Sequence, residues 1–254
     1  VIRFSEDDEL KTGLRWINLR PDVIRPAAIP TAAVPIGTPP AAASASVGST
    51  APVDHAEAAV GKLLFLTPGG EAASCTATFV AGNSTLVTAA RCIMSREGKQ
   101  NRDFVFVTAY GSMAQQVYPI SCLVLPTAWV REEGGAAWIH NIAFLRTSRT
   151  STFGGLGVTN ALPPKEVARV GFSDAVGNGR LMQLTRSGSF MTGDRLVGTV
   201  YDPLAAGSSG NPWIRNSIVY SFSSHYDPAF PTVLLGPRFT GATMQLLARA
   251  KDDC

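Results

Sequence analysis

Beyond His55 the chain is a succession of short β-forming runs, and their spacing limits the fold more than any other feature of the sequence. The runs "GKLLFL", "SCTATFV", "STLVTAA", "DFVFVTAYG", "QVYPISCLVL", "NIAFLRT", "EVARVGF", "LMQLTRSGSF", "RLVGTVYD", "SIVYSFSS" and "TVLLGPRF" are separated by clusters of Gly, Asn, Asp and Pro. Short strands at such close intervals, without helical patterns between them, predict a β-barrel or β-sandwich. The exception is "TGATMQLLARAKD", where Met244, Leu246, Leu247 and Ala250 can share one helical face. The expected body is all-β with a single C-terminal helix.

Residues 1–54 have a different texture and read as an N-terminal extension to a folded domain over 55–254. "FSEDDELKTGLRW" is charged, and a short helix or an extended strap is expected there. From Arg25 to Val53 the chain is crowded with Pro, Ala, Ser and Thr. Proline fixes φ and removes a donor, so this stretch should be extended and polyproline-like. Leu14, Trp16 and Ile24 are the apolar anchors of a surface strap; the other readings are a flexible tail and a retained pro-segment.

The chain has 254 residues, 45% hydrophobic and 16% charged, enough for a large core. Its net charge of +3 is small, and no basic run interleaved with aromatics points to nucleic acid. Apolar stretches fall well short of the ~18 residues that span a membrane, so no membrane association is expected. Nor is there a basic start followed by an apolar stretch, so a signal peptide is expected to have been removed or never present. The four cysteines, at 75, 92, 122 and 254, allow three pairings and lack C-x-x-C or Cys/His spacing. Two disulfides in an oxidising, extracellular setting are expected, with four reduced core cysteines as the alternative. Asn83-Ser84-Thr85 is a glycosylation sequon in a turn-like segment. No metal or cofactor is expected: "HAEAA" at His55 lacks the second histidine of a zinc helix, and no phosphate-binding glycine loop is present.

Three fragments carry chemistry when taken in order: "CTATFVAGNSTLVTAARC", "HNIAFLRT" and "AAGSSGNPW". The set resembles the chymotrypsin-like serine proteases, in which a cysteine and two strands lead to "TAAHC", then "DIALL", then "GDSGGP". The likeness is greatest to the glutamyl-endopeptidase branch, given "GSSGNPW", "GPRF" and "GATMQLLARA" in that sequence and the opening "KTGLRW". It covers about residues 55 to 250. It implies two six-stranded antiparallel β-barrels with the site in the cleft between them. It also implies that Cys75 and Cys92 pair across the base position, with Cys122 and Cys254 as the remaining pair.

By that resemblance Ser209 stands at the nucleophile, and the N–H groups of Gly207 and Ser209 form the oxyanion hole. Arg91 stands at the general base and Asn141 at the acid that orients it. Ser221, Phe222 and Ser223 fall near the specificity histidine of the glutamyl branch. A shift of two or three residues brings His225 there instead.

Two of the three catalytic positions cannot do the chemistry. A serine hydroxyl needs a neighbour to take its proton. Guanidinium is protonated at any accessible pH and has no acceptor lone pair. A neutral Asn141 does not stabilise an imidazolium; Asp→Asn at the equivalent position of an active protease lowers turnover about 10⁴-fold. His55, His140 and His225 are the available histidines, and none completes a triad by its place in the sequence; His140 should point to the far side of the strand that Asn141 begins.

The sequence therefore points to a secreted serine-protease homologue without proteolytic activity, one that binds a protein or peptide partner in its cleft. Arg91 is either a tolerated surface arginine or the cation of a small-anion site for carboxylate, sulfate or phosphate. The alternative function is an active peptidase or esterase that uses Ser209 with a non-standard base.

Overall fold

The computed structural model describes residues 1–4, 25–26, 55–173, 179–200, 208–226 and 233–254. The anchors Leu14, Trp16 and Ile24, and most of the Pro/Ala-rich segment, lie outside these residues. The extension is described at two places, β1 (Ile2–Arg3) and β2 (Arg25–Pro26).

A short helix α1 (His55–Ala58) leads into six strands: β3 (Val60–Leu66), β4 (Ala72–Phe79), β5 (Thr85–Thr88), β6 (Arg102–Thr108), β7 (Gln116–Val124) and β8 (Ala143–Thr147). They run β7-β6-β3-β4-β5-β8, and β8 pairs back onto β7, so the sheet closes into a six-stranded antiparallel barrel. Every residue of β3 and β4 is buried because both faces are covered. Leu63 and Phe65 join the main core, whereas Leu64 and Leu66 meet Val105 and Val107 on the opposite face. Gly61 is required by close approach: a Cβ there would lie 2.3 Å from the Val107 carbonyl oxygen. Phe79, Phe106 and Tyr118 fill the barrel, with Phe79 edge-on to each of the other two at 5.1 Å.

The second half contains β9 (Gly157–Val158), β10 (Glu166–Phe172), β11 (Met182–Thr192), β12 (Leu196–Val200), β13 (Pro212–Arg215), β14 (Ile218–Phe222), β15 (His225–Tyr226) and β16 (Val233–Pro237). Their order is β15-β16-β12-β11-β10-β13-β14-β9. The β13–β14 hairpin turns at Asn216 and Ser217, both at positive φ, the backbone that a two-residue hairpin needs. Among the described residues no regular ladder joins β14 to β16. They are drawn together instead by Ser221 Oγ donating to the Pro237 carbonyl (2.9 Å) and Ser224 N–H to the Leu235 carbonyl (3.0 Å).

The C-terminal helix expected from sequence is here, labelled α3 because a one-turn helix α2 (Ala128–Arg131) precedes it; α3 spans Gly241–Asp252. Thr240 caps it by accepting from the Thr243 N–H, and the Thr243 hydroxyl accepts from the Thr240 N–H. Thr243, Leu247 and Ala250 form its buried stripe, with Met244 and Leu246 on the flanks.

Two departures from the sequence reading adjoin Ser209 and Asn141. "PWIR" forms β13, a strand not anticipated; Pro212 opens it, where a missing N–H does least harm. His140 is not on the strand it was expected to begin. It ends a 3-10 helix over Gly134–His140, and β8 starts only at Ala143. The glycine pair Gly134-Gly135, the first at positive φ, lets the chain turn tightly there.

Candidate active-site cleft

Arg91 lies in a single 3-10 turn, Ala90–Cys92, that ends the β5 segment. The turn is pinned by a disulfide from Cys92 to Cys75 of β4. Ala90 and Cys92 are fully buried, which leaves Arg91 half-buried between them. Its backbone N–H donates to Asn141 Oδ1 at 2.9 Å. A backbone N–H can only donate, so the oxygen of the carboxamide must face it, and the NH₂ must face the other way. That NH₂ donates to Ser224 Oγ at 2.6 Å, at a position where Asn141 is fully buried.

The chain of hydrogen bonds continues. Ser224 Oγ, which accepts from Asn141, also lies 3.2 Å from His225 Nδ1, and the direction of that bond follows the tautomer of the ring. The His225 ring stacks on Trp138, centroids 4.4 Å apart and planes 17° from parallel. Trp138 sits on the 3-10 helix just before Asn141, and its carbonyl accepts the Asn141 N–H. Burial lowers the Arg91 pKa to about 9, which still leaves the guanidinium charged at neutral pH. Arg91 is a cation with no lone pair to offer.

The Ser209 turn is built against the same strands. Thr76 N–H donates to the Ser209 carbonyl at 2.8 Å, and Thr88 Oγ1 donates to the Thr76 carbonyl at 2.7 Å. Gly210 has φ +85°, and a Cβ on it would meet the Thr76 carbonyl oxygen at 2.1 Å and Thr88 Oγ1 at 2.6 Å. Only glycine fits there. Gly210 N–H donates to the Ser223 carbonyl, and Ser223 N–H donates to the Asn211 carbonyl, each at 2.9 Å. Ser209 is fully buried, and its hydroxyl has no hydrogen-bond partner among the described residues. The segment Ser223-Ser224 thus joins two structures: Ser223 holds the Ser209 turn, and Ser224 holds Asn141 behind Arg91. Gly207, the other expected oxyanion donor, lies outside the described residues.

A closed six-stranded barrel, a second, mostly antiparallel sheet and a turn bearing a buried serine against β4 match solved structures of one kind. A thermostable serine protease, AL20, from an extremophilic microorganism superposes with TM-score 0.66 at 24% identity, over 78% of this chain and all of that one. A Glu endopeptidase superposes with TM-score 0.66 at 15% identity, over 81% of this chain and 95% of its own. A scabies mite inactivated protease paralogue, S-D1, does so with TM-score 0.61 at 11% identity, over 78% and 93%. This chain has the chymotrypsin-like serine protease fold. No family model and no curated protein matches its sequence.

The other expected site residues of this protease fold are placed as follows. Ser221, Phe222 and Ser223 are buried and engaged internally: Ser221 with Pro237, Phe222 against Phe239 (6.1 Å between ring centroids), and Ser223 accepting from Trp213 Nε1 at 3.2 Å. His225 follows them and turns towards Trp138. His140 Nε2 lies 3.1 Å from Glu132 Oε1, an ion pair when the histidine is protonated. His55 begins α1. Both disulfides of the resemblance are formed, Cys75–Cys92 and Cys122–Cys254. Among the described residues no three His, Cys, Asp or Glu side chains cluster as metal ligands, and no helix is long and apolar enough to cross a membrane.

Ser224 and Trp138 escaped the sequence reading. Ser224 stood in plain view in "SFSSH", but its role depends on Asn141, 83 residues earlier. No local pattern marks such a partner.

Proposed function

We propose that this chain is a secreted serine-protease homologue that binds a protein or peptide partner in the cleft between its halves and does not cleave it. The observation that carries the reading is the carboxamide of Asn141, held between the Arg91 N–H and the Ser224 hydroxyl. In a working triad a carboxylate in that place would accept both bonds and stabilise a charged base. Here a neutral group donates one of them, and the side chain at the base position is a guanidinium that cannot accept the Ser209 proton. The structural likeness to a protease paralogue described as inactivated fits a fold that persists without catalysis. Two disulfides fit an extracellular setting. The fixed Arg91 charge favours a small anion, a carboxylate or sulfate, as one element of what the cleft binds.

The test is fluorophosphonate labelling of Ser209 in the natural chain and in an Arg91→His/Asn141→Asp double variant. Labelling of the double variant alone, with the natural chain silent, is the expected result. Ready labelling of the natural chain would overturn the reading and favour a hydrolase with another base.

A further inference from the structure

The turn between β4 and β5 reaches away from the cleft. It runs through Ala81 and Gly82, at φ 52° and 139°, to Asn83. A Cβ built on Gly82 would have nothing within 4 Å, and Asn83 is exposed. β5 then carries the chain from this turn towards Arg91, so Asn83 and Arg91 stand at opposite ends of that strand. Thr85, two residues after Asn83, completes an N-x-T acceptor sequence. Nothing in the chemistry of Arg91, Asn141 or Ser209 calls for it.

A second segment is fastened to the same turn. Ser151 N–H donates to the Asn83 carbonyl at 2.6 Å, and Ser151 Oγ accepts from the Phe153 N–H at 3.1 Å. Thr147 N–H donates to the Ser84 carbonyl at 2.9 Å. Gly155 passes so close that a Cβ on it would lie 2.1 Å from the Gly82 carbonyl oxygen. Between these fixed points Phe153 is left 47% exposed. Phe190 is the other exposed aromatic among the described residues, and its ring lies over Gly198. One exposed ring is ordinary on a protein surface. What singles out Phe153 is that its loop is hydrogen-bonded to the acceptor turn.

We propose that Asn83 carries an N-linked oligosaccharide and that its first sugar packs on the exposed ring of Phe153. The step is a glycosyl transfer from a lipid-linked oligosaccharide diphosphate in the secretory pathway. Asn83 Nδ2 forms a bond to C1 of the sugar, the C1–O bond to the diphosphate breaks, and the diphosphate leaves with that electron pair. Nδ2 gives up one proton and keeps the other. The C–H face of a pyranose covers an aromatic ring as another apolar group would, while its hydroxyls stay in water. Such a bulky, solubilising group belongs at the surface, and here it stands at the end of the barrel away from Arg91. The cleft stays open to a partner. The proposal rests on the secreted setting put forward above and is independent of the roles given to Arg91, Asn141 and Ser209.

The experiment secretes the full chain from a yeast host through a leader peptide and measures its mass. The natural chain gains the mass of one oligosaccharide, which peptide-N-glycosidase removes, and Asn83→Gln gains none. A natural chain without that added mass would overturn the acceptor. The ring contact is read from the urea midpoints of the natural chain, Asn83→Gln, Phe153→Ala and the double variant. Asn83→Gln lowers the midpoint when Phe153 is present and leaves it unmoved in the Phe153→Ala background. An equal response in both backgrounds, zero included, would overturn the ring contact while the acceptor stands. Should Phe153→Ala not fold, nuclear Overhauser contacts between the Phe153 ring and the first sugar decide the contact, and their absence overturns it. Fluorophosphonate labelling of Ser209 gives the same result in Asn83→Gln as in the natural chain, so this proposal and the inactive-protease reading fail separately.

Discussion

The carboxamide of Asn141 sets the direction of the hydrogen bonds behind Arg91. Its oxygen is committed to the Arg91 N–H, so its NH₂ donates to the Ser224 hydroxyl and leaves that hydroxyl's proton free for His225 Nδ1. A carboxylate would reverse that flow, because it can only accept. In Asn141→Asp the Ser224 proton turns to the carboxylate, and Ser224 Oγ becomes an acceptor for a proton on His225 Nδ1. The ¹⁵N chemical shift of His225 Nδ1 should therefore be that of an unprotonated ring nitrogen in the natural chain and move to the protonated range in the variant. An unchanged shift would mean that another neighbour fixes the ring. Arg91 and Asn141 could be singled out from "TAARC" and "HNIAFL" because each departs from a short pattern at a set place. Ser224 could not, since its significance arises only once two distant segments touch.

At the scale of elements, most strands were legible because β-branched and aromatic residues recur between turn residues. The closing helix was legible for a different reason: Leu247 and Ala250 follow a helical period after a capping Thr. Removing that cap with Thr240→Ala leaves the first-turn N–H of Thr243 without its side-chain acceptor. The expected loss is about 1 kcal/mol, read as a shift in the urea midpoint. β13 and the 3-10 helix over Gly134–His140 were hidden. A four-residue strand that starts at proline shows no alternation, and a 3-10 turn has no amphipathic period of its own. His140 was misplaced for that reason: the local sequence cannot say that β8 waits until Ala143.

Across the whole molecule, the Cys122–Cys254 disulfide ties the end of α3 to β7, and further ties converge nearby. Arg146 donates to the Lys251 carbonyl at 2.7 Å, and Arg3 Nε donates to the Asp253 carbonyl at 3.1 Å, while β1 pairs on β7 at Cys122 and Leu123. The bridge closes a sequence separation of 132 residues. Replacing both cysteines by serine should lower stability by about 2–5 kcal/mol, the range for a native bridge. Urea unfolding without reductant is the check; a loss below about 1 kcal/mol would show that packing and main-chain ties alone hold α3 in place.

Strand-forming runs, an all-β body and a C-terminal helix follow from the sequence itself. Each rests on local periodicity. Tertiary structure alone decided the rest. The amide direction at Asn141, the alliance of Ser224 with His225 and Trp138, and the seating of Arg25–Pro26 on β4 all need groups far apart in the chain to meet. Those meetings are fixed by barrel closure and strand register, which no stretch of sequence encodes alone.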